Sequence, residues 1–278
     1  MLLNTARKGR MPRVTNESTL LATTKSEWLK FRSVRSSIMG VAVTVLLTIG
    51  LGVLITTLVR THWSQLSPLR IATFDPVSSS LRGSLFAQFA VGVIGTLLIT
   101  SEYTSGSICT TLTAVPNRFR LIAGKCIVLF VTMLILGEFV CFAAFLIGQR
   151  IYLGVVPTAS ITNGAVLRSV ILAGLYLALL ALFAFALGLM LRQSAAAISV
   201  FVSLLLIVPI IGLFFPQNWQ NDFMRFEPST LGVSMQSPFA PSNSFGAWSA
   251  TLILLAYVTG AMAIAVVLFL RRDAGSNQ

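Results

Sequence analysis

The chain of 278 residues is 55% hydrophobic and only 10% charged, with a mean hydropathy of +0.86. Soluble domains carry about 25% charged residues, so these proportions exclude a soluble globular protein and leave an integral membrane protein built from long apolar runs. The formal charge of +12 would suggest nucleic acid in a soluble chain. Here the cations flank apolar runs, where they orient the chain and meet anionic lipid, so membrane lipid is the expected partner and nucleic acid is not.

Residues 1–17 are polar and basic and read as a disordered cytoplasmic tail. They are not a signal peptide, because the first apolar run starts only at Ile38 and is long enough to span. Residues 18–37 read as a helix in which Leu21, Thr24, Trp28, Phe31 and Ile38 recur at three- and four-residue spacing. Glu27, Lys30, Arg32 and Arg35 complete it. An apolar stripe carrying Trp and Phe beside cations suits a helix lying in the membrane interface, with a cytoplasmic extension of the first span as the alternative.

Six spans follow, over 38–59, 85–100, 121–147, 170–191, 195–215 and 248–270. The fold class expected is therefore all-α integral membrane, since a spanning helix satisfies its own backbone groups. The domain division is 1–37 for the tail and amphipathic helix, 38–270 for the transmembrane domain and 271–278 for a second tail. A cytoplasmic N-terminus places Arg7, Lys8, Arg10, Arg13, Lys25, Lys30, Arg32, Arg35, Arg118, Arg120, Lys125, Arg192, Arg271 and Arg272 inside, against Arg60, Arg70, Arg82, Arg150, Arg168 and Arg225 outside. Both termini are then cytoplasmic, the protein sits in the cell membrane, and the segment between the second and third spans faces inward.

The stretch before the sixth span, 216–247, holds four prolines and is not one helix. It also holds Trp219, Phe223, Phe226 and Phe239, and reads either as a lid on or dipping into the outer membrane face or as an interfacial aromatic belt. Of the three cysteines, Cys126 and Cys141 are too far apart along one helix to bridge. All three are expected to be small buried hydrophobes.

One histidine, His62, leaves no His/Cys metal site. Gly124-Lys125 fails as a phosphate loop, because Cys126 stands where Ser or Thr is needed and Phe119 where the first Gly should be. No catalytic, cofactor-binding or metal residue is expected, and the chain is not expected to be an enzyme. Glu138 lies well inside the third span, where a carboxylate is expensive and marks a candidate pathway residue. The alternative is a neutral acid bonded to a nearby hydroxyl.

The most specified segment is Thr100 to Lys125, TSEYTSGSICTTLTAVPNRFRLIAGK. Glu102 to Thr113 reads as a short helix capped by Ser101, with Glu102 at its positive end and Ile108 and Leu112 on one face. Val115-Pro116-Asn117 stops it, and Arg118, Arg120 and Lys125 mark the return to the membrane surface. A short helix held across the ends of two spans suits a knob for a partner's groove; a plain interfacial tether is the alternative.

This segment resembles the signature of ABC-2 type transporter permeases, the membrane subunits of many bacterial exporters. The resemblance runs through Glu102, Tyr103, Gly106, Thr110, Thr111, Leu112, Pro116, Arg118 and Lys125, and the upstream SEWLKFRSVRS is similar to that family's amphipathic helix. The resemblance implies a coupling helix over 102–113 seated in a separate cytoplasmic ATPase subunit, present in two copies with ATP and Mg bound to it. It also implies a second permease chain, the same or related, and export of drugs, antimicrobial peptides or other amphipathic compounds beneath the outer segment. A secondary carrier using Glu138, and a membrane anchor or sensor for an ATPase, are the competing readings.

Overall fold

The computed structural model describes residues 20–114, 117–239 and 244–271. The tail over 1–17, Pro116, and all of the 271–278 tail except Arg271 lie outside them. The described residues contain no strand, and six helices are long and apolar enough to cross a membrane. The protein is an all-α, multi-pass membrane protein.

Helix α1 (Leu20–Ser33) is separated from the first long helix, α2 (Arg35–Thr61), by Val34 alone, whose backbone is extended. Two short helices follow, α3 (Pro68–Ala72) and α4 (Pro76–Leu81), each with proline at its first turn, where the missing N–H is not needed. Then come α5 (Ser84–Thr104), the short α6 (Ser107–Ala114), α7 (Arg118–Tyr152), α8 (Gly164–Leu191) and α9 (Ser194–Gly212). The helices α10 (Gln217–Met224) and α11 (Pro228–Gln236) precede the last span, α12 (Ala247–Arg271).

The most enclosed helix is α8, which packs against α5, α7, α9, α11 and α12. Lipid tails are as apolar as Leu, so close backbone approach rather than hydrophobic drive holds such helices together. Gly95 supplies it on α5, where a Cβ would stand 2.1 Å from the carbonyl oxygen of Ala181 on α8. On α7, a Cβ at Gly137 would stand 2.7 Å from the oxygen of Gly174. In α9 a π turn over Ser203–Ile207 precedes Pro209, whose ring and absent N–H prevent an ordinary helical bond there.

The expected spans are present, but their ends differ: five helices run past the expected bounds and the fifth ends early. The second runs to Thr104 rather than residue 100, the third starts at Arg118 and ends at Tyr152, and the fifth stops at Gly212 rather than 215. The two ends of the bundle differ. One carries α1 and α6. The other carries α3, α4, α10 and α11, and here α4 and α11 sink into the protein: Leu81, Leu231 and Met235 are fully enclosed. Gln236 on α11 accepts from the Ser84 hydroxyl at 2.8 Å, and Tyr152 on α7 donates to Ser79 on α4 at 2.8 Å.

Candidate functional site

The short helix starts later than its sequence suggests. Glu102 and Tyr103 continue α5, and Ser101 is no cap, since its hydroxyl donates to Leu97 within α5 at 2.6 Å. The break falls at Ser105-Gly106. Gly106 has φ +70°, a backbone region L side chains avoid, and it ends α5 as a left-handed glycine does. The chain then reverses into α6 at Ser107. Glu102 therefore sits at the negative end of a helix dipole, the reverse of the expected placement.

What compensates it is a closed ring of alternating charges. Lys125 lies two turns into α7 and is 1% exposed, so it does not mark a return to the membrane surface. Its ammonium donates to Glu27 Oε2 at 2.7 Å and to Glu102 Oε1 at 2.8 Å. Lys30 donates to the same Glu102 oxygen at 3.1 Å and to Glu27 Oε1 at 3.3 Å, and reaches Thr111 Oγ1 on α6 at 3.4 Å. Four side chains from α1, α5 and α7 thus make a neutral ring, and one of its cations touches α6. Burial is the largest influence on the Lys30 ammonium and lowers its pKa, but the attractions and hydrogen bonds of Glu27 and Glu102 together outweigh it and raise the pKa above 10.5. Beside the ring opens a cleft of about 410 Å³, walled by Phe31, Val34, Leu97 and Leu98 and rimmed by serines and threonines that include Ser101, Thr110 and Thr111.

The ring redirects α1. The face buried in the protein is Thr23, Glu27 and Phe31; of the expected stripe only Phe31 belongs to it, Leu21 and Trp28 stay outside, and Ile38 belongs to α2. Leu21 is 82% exposed, and Trp28 lies half exposed, stacked on Phe31. Leu21, Thr24, Lys25 and Trp28 line an apolar groove with Ile127, Val131 and Ile135 of α7. Arg32 and Arg35 are exposed.

The structure treats the other residues of the central segment unequally. Ile108 is buried and Leu112 packs on the core, as their shared face suggested. Thr110 is exposed. Tyr103 carries the Arg192 guanidinium 5.3 Å above its ring. Arg118 and Arg120 are half-buried, and the amide of Arg120 donates to Asn117, the cap of α7. Cys109 is exposed, against expectation, because it lies on the outward side of α6; Cys141 is buried.

Glu138 is half-buried at the α7–α8 crossing. Its carboxyl fills the space beside Gly174, where a Cβ would come within 2.7 Å of it, and its Oε2 is buried without a hydrogen-bond partner. No nearby hydroxyl bonds that oxygen, and no cation pairs with Glu138 among the described residues. At the far end Phe223, Phe226 and Phe239 are exposed, and the side chain of Trp219 lies outside the described residues. The aromatic residues do not anchor that segment; Leu231, Met235 and Gln236 of α11 do. Among the described residues no group of His, Cys, Asp and Glu could hold a metal ion.

A membrane protein with six apolar helices long enough to span, whose short helix between the second and third is braced by a largely buried ion ring, is the class that fold and site define. The chain belongs to the family described as protein of unknown function, DUF2705, which matches residues 71–274. Glu102, Lys125 and Glu138 fall within the matched part, whereas α1 with Glu27 and Lys30 precedes it. Comparison with curated proteins gives no match.

Proposed function

We propose that this chain is the permease subunit of an ATP-driven exporter of the ABC-2 type, with α6 as the element that receives force from a separate ATPase subunit. The observation that carries this reading is the ion ring. A helix of eight residues has little stability of its own, yet α6 is tied through Lys30 to Glu102 and Glu27, and through them to Lys125 on α7. A push on α6 is therefore passed at once to α1, α5 and α7. Apposed charges with three of the four side chains buried suit such a joint, because moving one of them alone costs more than moving the group together.

On this reading α6 faces the cytoplasm of the cell membrane, both termini lie on that side, and the ATPase dimer carries ATP and Mg. A second permease chain completes the pathway, and amphipathic compounds leave towards the α11 end. Closure of the ATPase dimer on ATP would rock the helices through α6. The test is coupled ATPase activity in membranes holding the complex. Glu102→Arg and Thr110→Pro should each lower substrate-stimulated hydrolysis at least fivefold while the chain still purifies with its partner. Unchanged stimulation in both would overturn the proposal.

A secondary carrier has one observation in its favour, the unpartnered Glu138 oxygen. Transport by the purified chain in ATP-free liposomes, driven by a proton gradient and lost in Glu138→Gln, would favour it over the exporter. A sensor or anchor would keep the ATPase contact and move no solute.

A further inference from the structure

Besides Glu27 and Glu102 of the ion ring, a third buried carboxylate lies at the opposite end of the bundle. Glu227 is 4% exposed and caps α11: its Oε2 accepts from the Thr230 amide at 2.7 Å and from the Thr230 hydroxyl at 3.1 Å. Its Oε1 is buried and makes no hydrogen bond. No cation lies within ion-pair distance of it among the described residues. The nearest candidate by sequence, Arg225, is turned elsewhere, to Asp222 at 3.4 Å and over the rings of Phe226 and Phe245.

Capping alone needs one oxygen and would be met by Asp, Ser or Thr near the surface. A buried, half-satisfied carboxylate is costly unless something pairs with it. Glu227 lines an opening of about 340 Å³ together with Phe183 of α8, Phe223, Phe226 and Tyr257 of α12. The Tyr257 hydroxyl is spent on the Phe226 carbonyl at 3.2 Å, so Glu227 is the charged group of an otherwise aromatic and aliphatic cavity. That size lies within the range of small-molecule sites. Aromatic rings attract cations through their faces, at exposed positions such as Phe223 as well as at buried ones.

We propose that Glu227 and the rings of Phe183, Phe223 and Tyr257 form a binding site for a monovalent amphipathic organic cation, such as a quaternary ammonium or a phosphonium bearing aromatic groups, with Phe226, whose face Arg225 covers, as an apolar wall. The carboxylate supplies the negative charge beside which the ligand's cation would sit, and the rings take the apolar part of the ligand. Burial pushes the empty site's carboxyl above its ordinary 4.5, with Ser229 and Thr230 pulling it back in part. The site concerns binding by this chain alone and does not rest on the exporter reading. If that reading also holds, the site names a substrate class.

The test is equilibrium binding of tetraphenylphosphonium to the purified full chain in lipid nanodiscs. One saturable site is expected, with Glu227→Gln at least tenfold weaker and Tyr257→Leu about fivefold weaker. Phe239→Ala, which alters an exposed ring outside the cavity, should bind as the native chain does. Tetraphenylborate, of the same shape and opposite charge, should not displace the ligand. Absence of a saturable site, equal binding by Glu227→Gln, or displacement by tetraphenylborate would each overturn the proposal. Should Glu227→Gln not fold, the Tyr257→Leu variant and the borate competition decide.

Discussion

Replacing Lys125 by Met removes the most enclosed cation of the ion ring and leaves Glu27 and Glu102 with Lys30 only. Each of the two contacts Lys125 makes, at 2.7 and 2.8 Å, carries about 6 kcal/mol of attraction at an effective dielectric constant near 20. Desolvation of the ammonium and carboxylates takes most of that back. The balance for removing one partner of a buried pair is about 3–5 kcal/mol, and that loss is expected for Lys125→Met. The second substitution Glu27→Gln restores neutrality, because Glu102 and Lys30 remain apposed at 3.1 Å. The double variant should therefore recover at least half of the loss, giving a coupling of at least about 2 kcal/mol, as charges in one network do. The assay is reversible unfolding in mixed micelles, followed by helical circular dichroism. A Lys125→Met variant within about 1 kcal/mol of the native chain, or additive effects of the two substitutions, would refute the reasoning.

The same unfolding assay tests three further expectations. Gly95→Ala should cost about 1–3 kcal/mol, since its Cβ would meet the Ala181 carbonyl at 2.1 Å and must push α5 from α8. Gly106→Ala meets no atom within 4 Å, so its cost is backbone strain alone, about 1–2 kcal/mol, and Gly106→Asn should cost less. Lys30 has its folded pKa raised above 10.5, so its contribution is fully present below 10.5 and is lost as pH rises through the folded value. The gap between the native chain and Lys30→Met should hold constant at neutral pH and close above pH 10.5; a gap that instead closes on acidification to pH 6 would contradict the assignment.

The spans were legible because each is a long apolar run whose backbone has no option in lipid but the helix. Their ends were less so, since Ser101 and Glu102 are polar yet continue α5 for one more turn until Gly106 breaks it. The ion ring was legible only as separate residues. Glu27 and Lys125 stand 98 positions apart, and no local pattern links them. A hint was present in composition, because the chain uses four lysines among its 20 cations and two of them are the ones placed between carboxylates, where a compact ammonium fits. The buried helices α4 and α11 were missed for a different reason. They are short and carry several serines, so they read as loops, and their polar groups are buried because Ser79 of α4 finds Tyr152 on α7 and Gln236 of α11 finds Ser84 on α5. The aromatic residues of the same segment drew attention in the sequence, yet Phe223, Phe226 and Phe239 stay exposed while Leu231 and Met235 fill the core.

Whether α6 takes force from another polypeptide is tested most directly by site-directed photocrosslinking in native membranes. A photoreactive residue at exposed Thr110 should capture a subunit that binds and hydrolyses ATP, and capture should change when nucleotide is added. The same probe at Phe239, at the other end of the bundle, should not capture it. Capture of that subunit from Phe239, or of lipid alone from Thr110 while the ATPase is present, would contradict the claim.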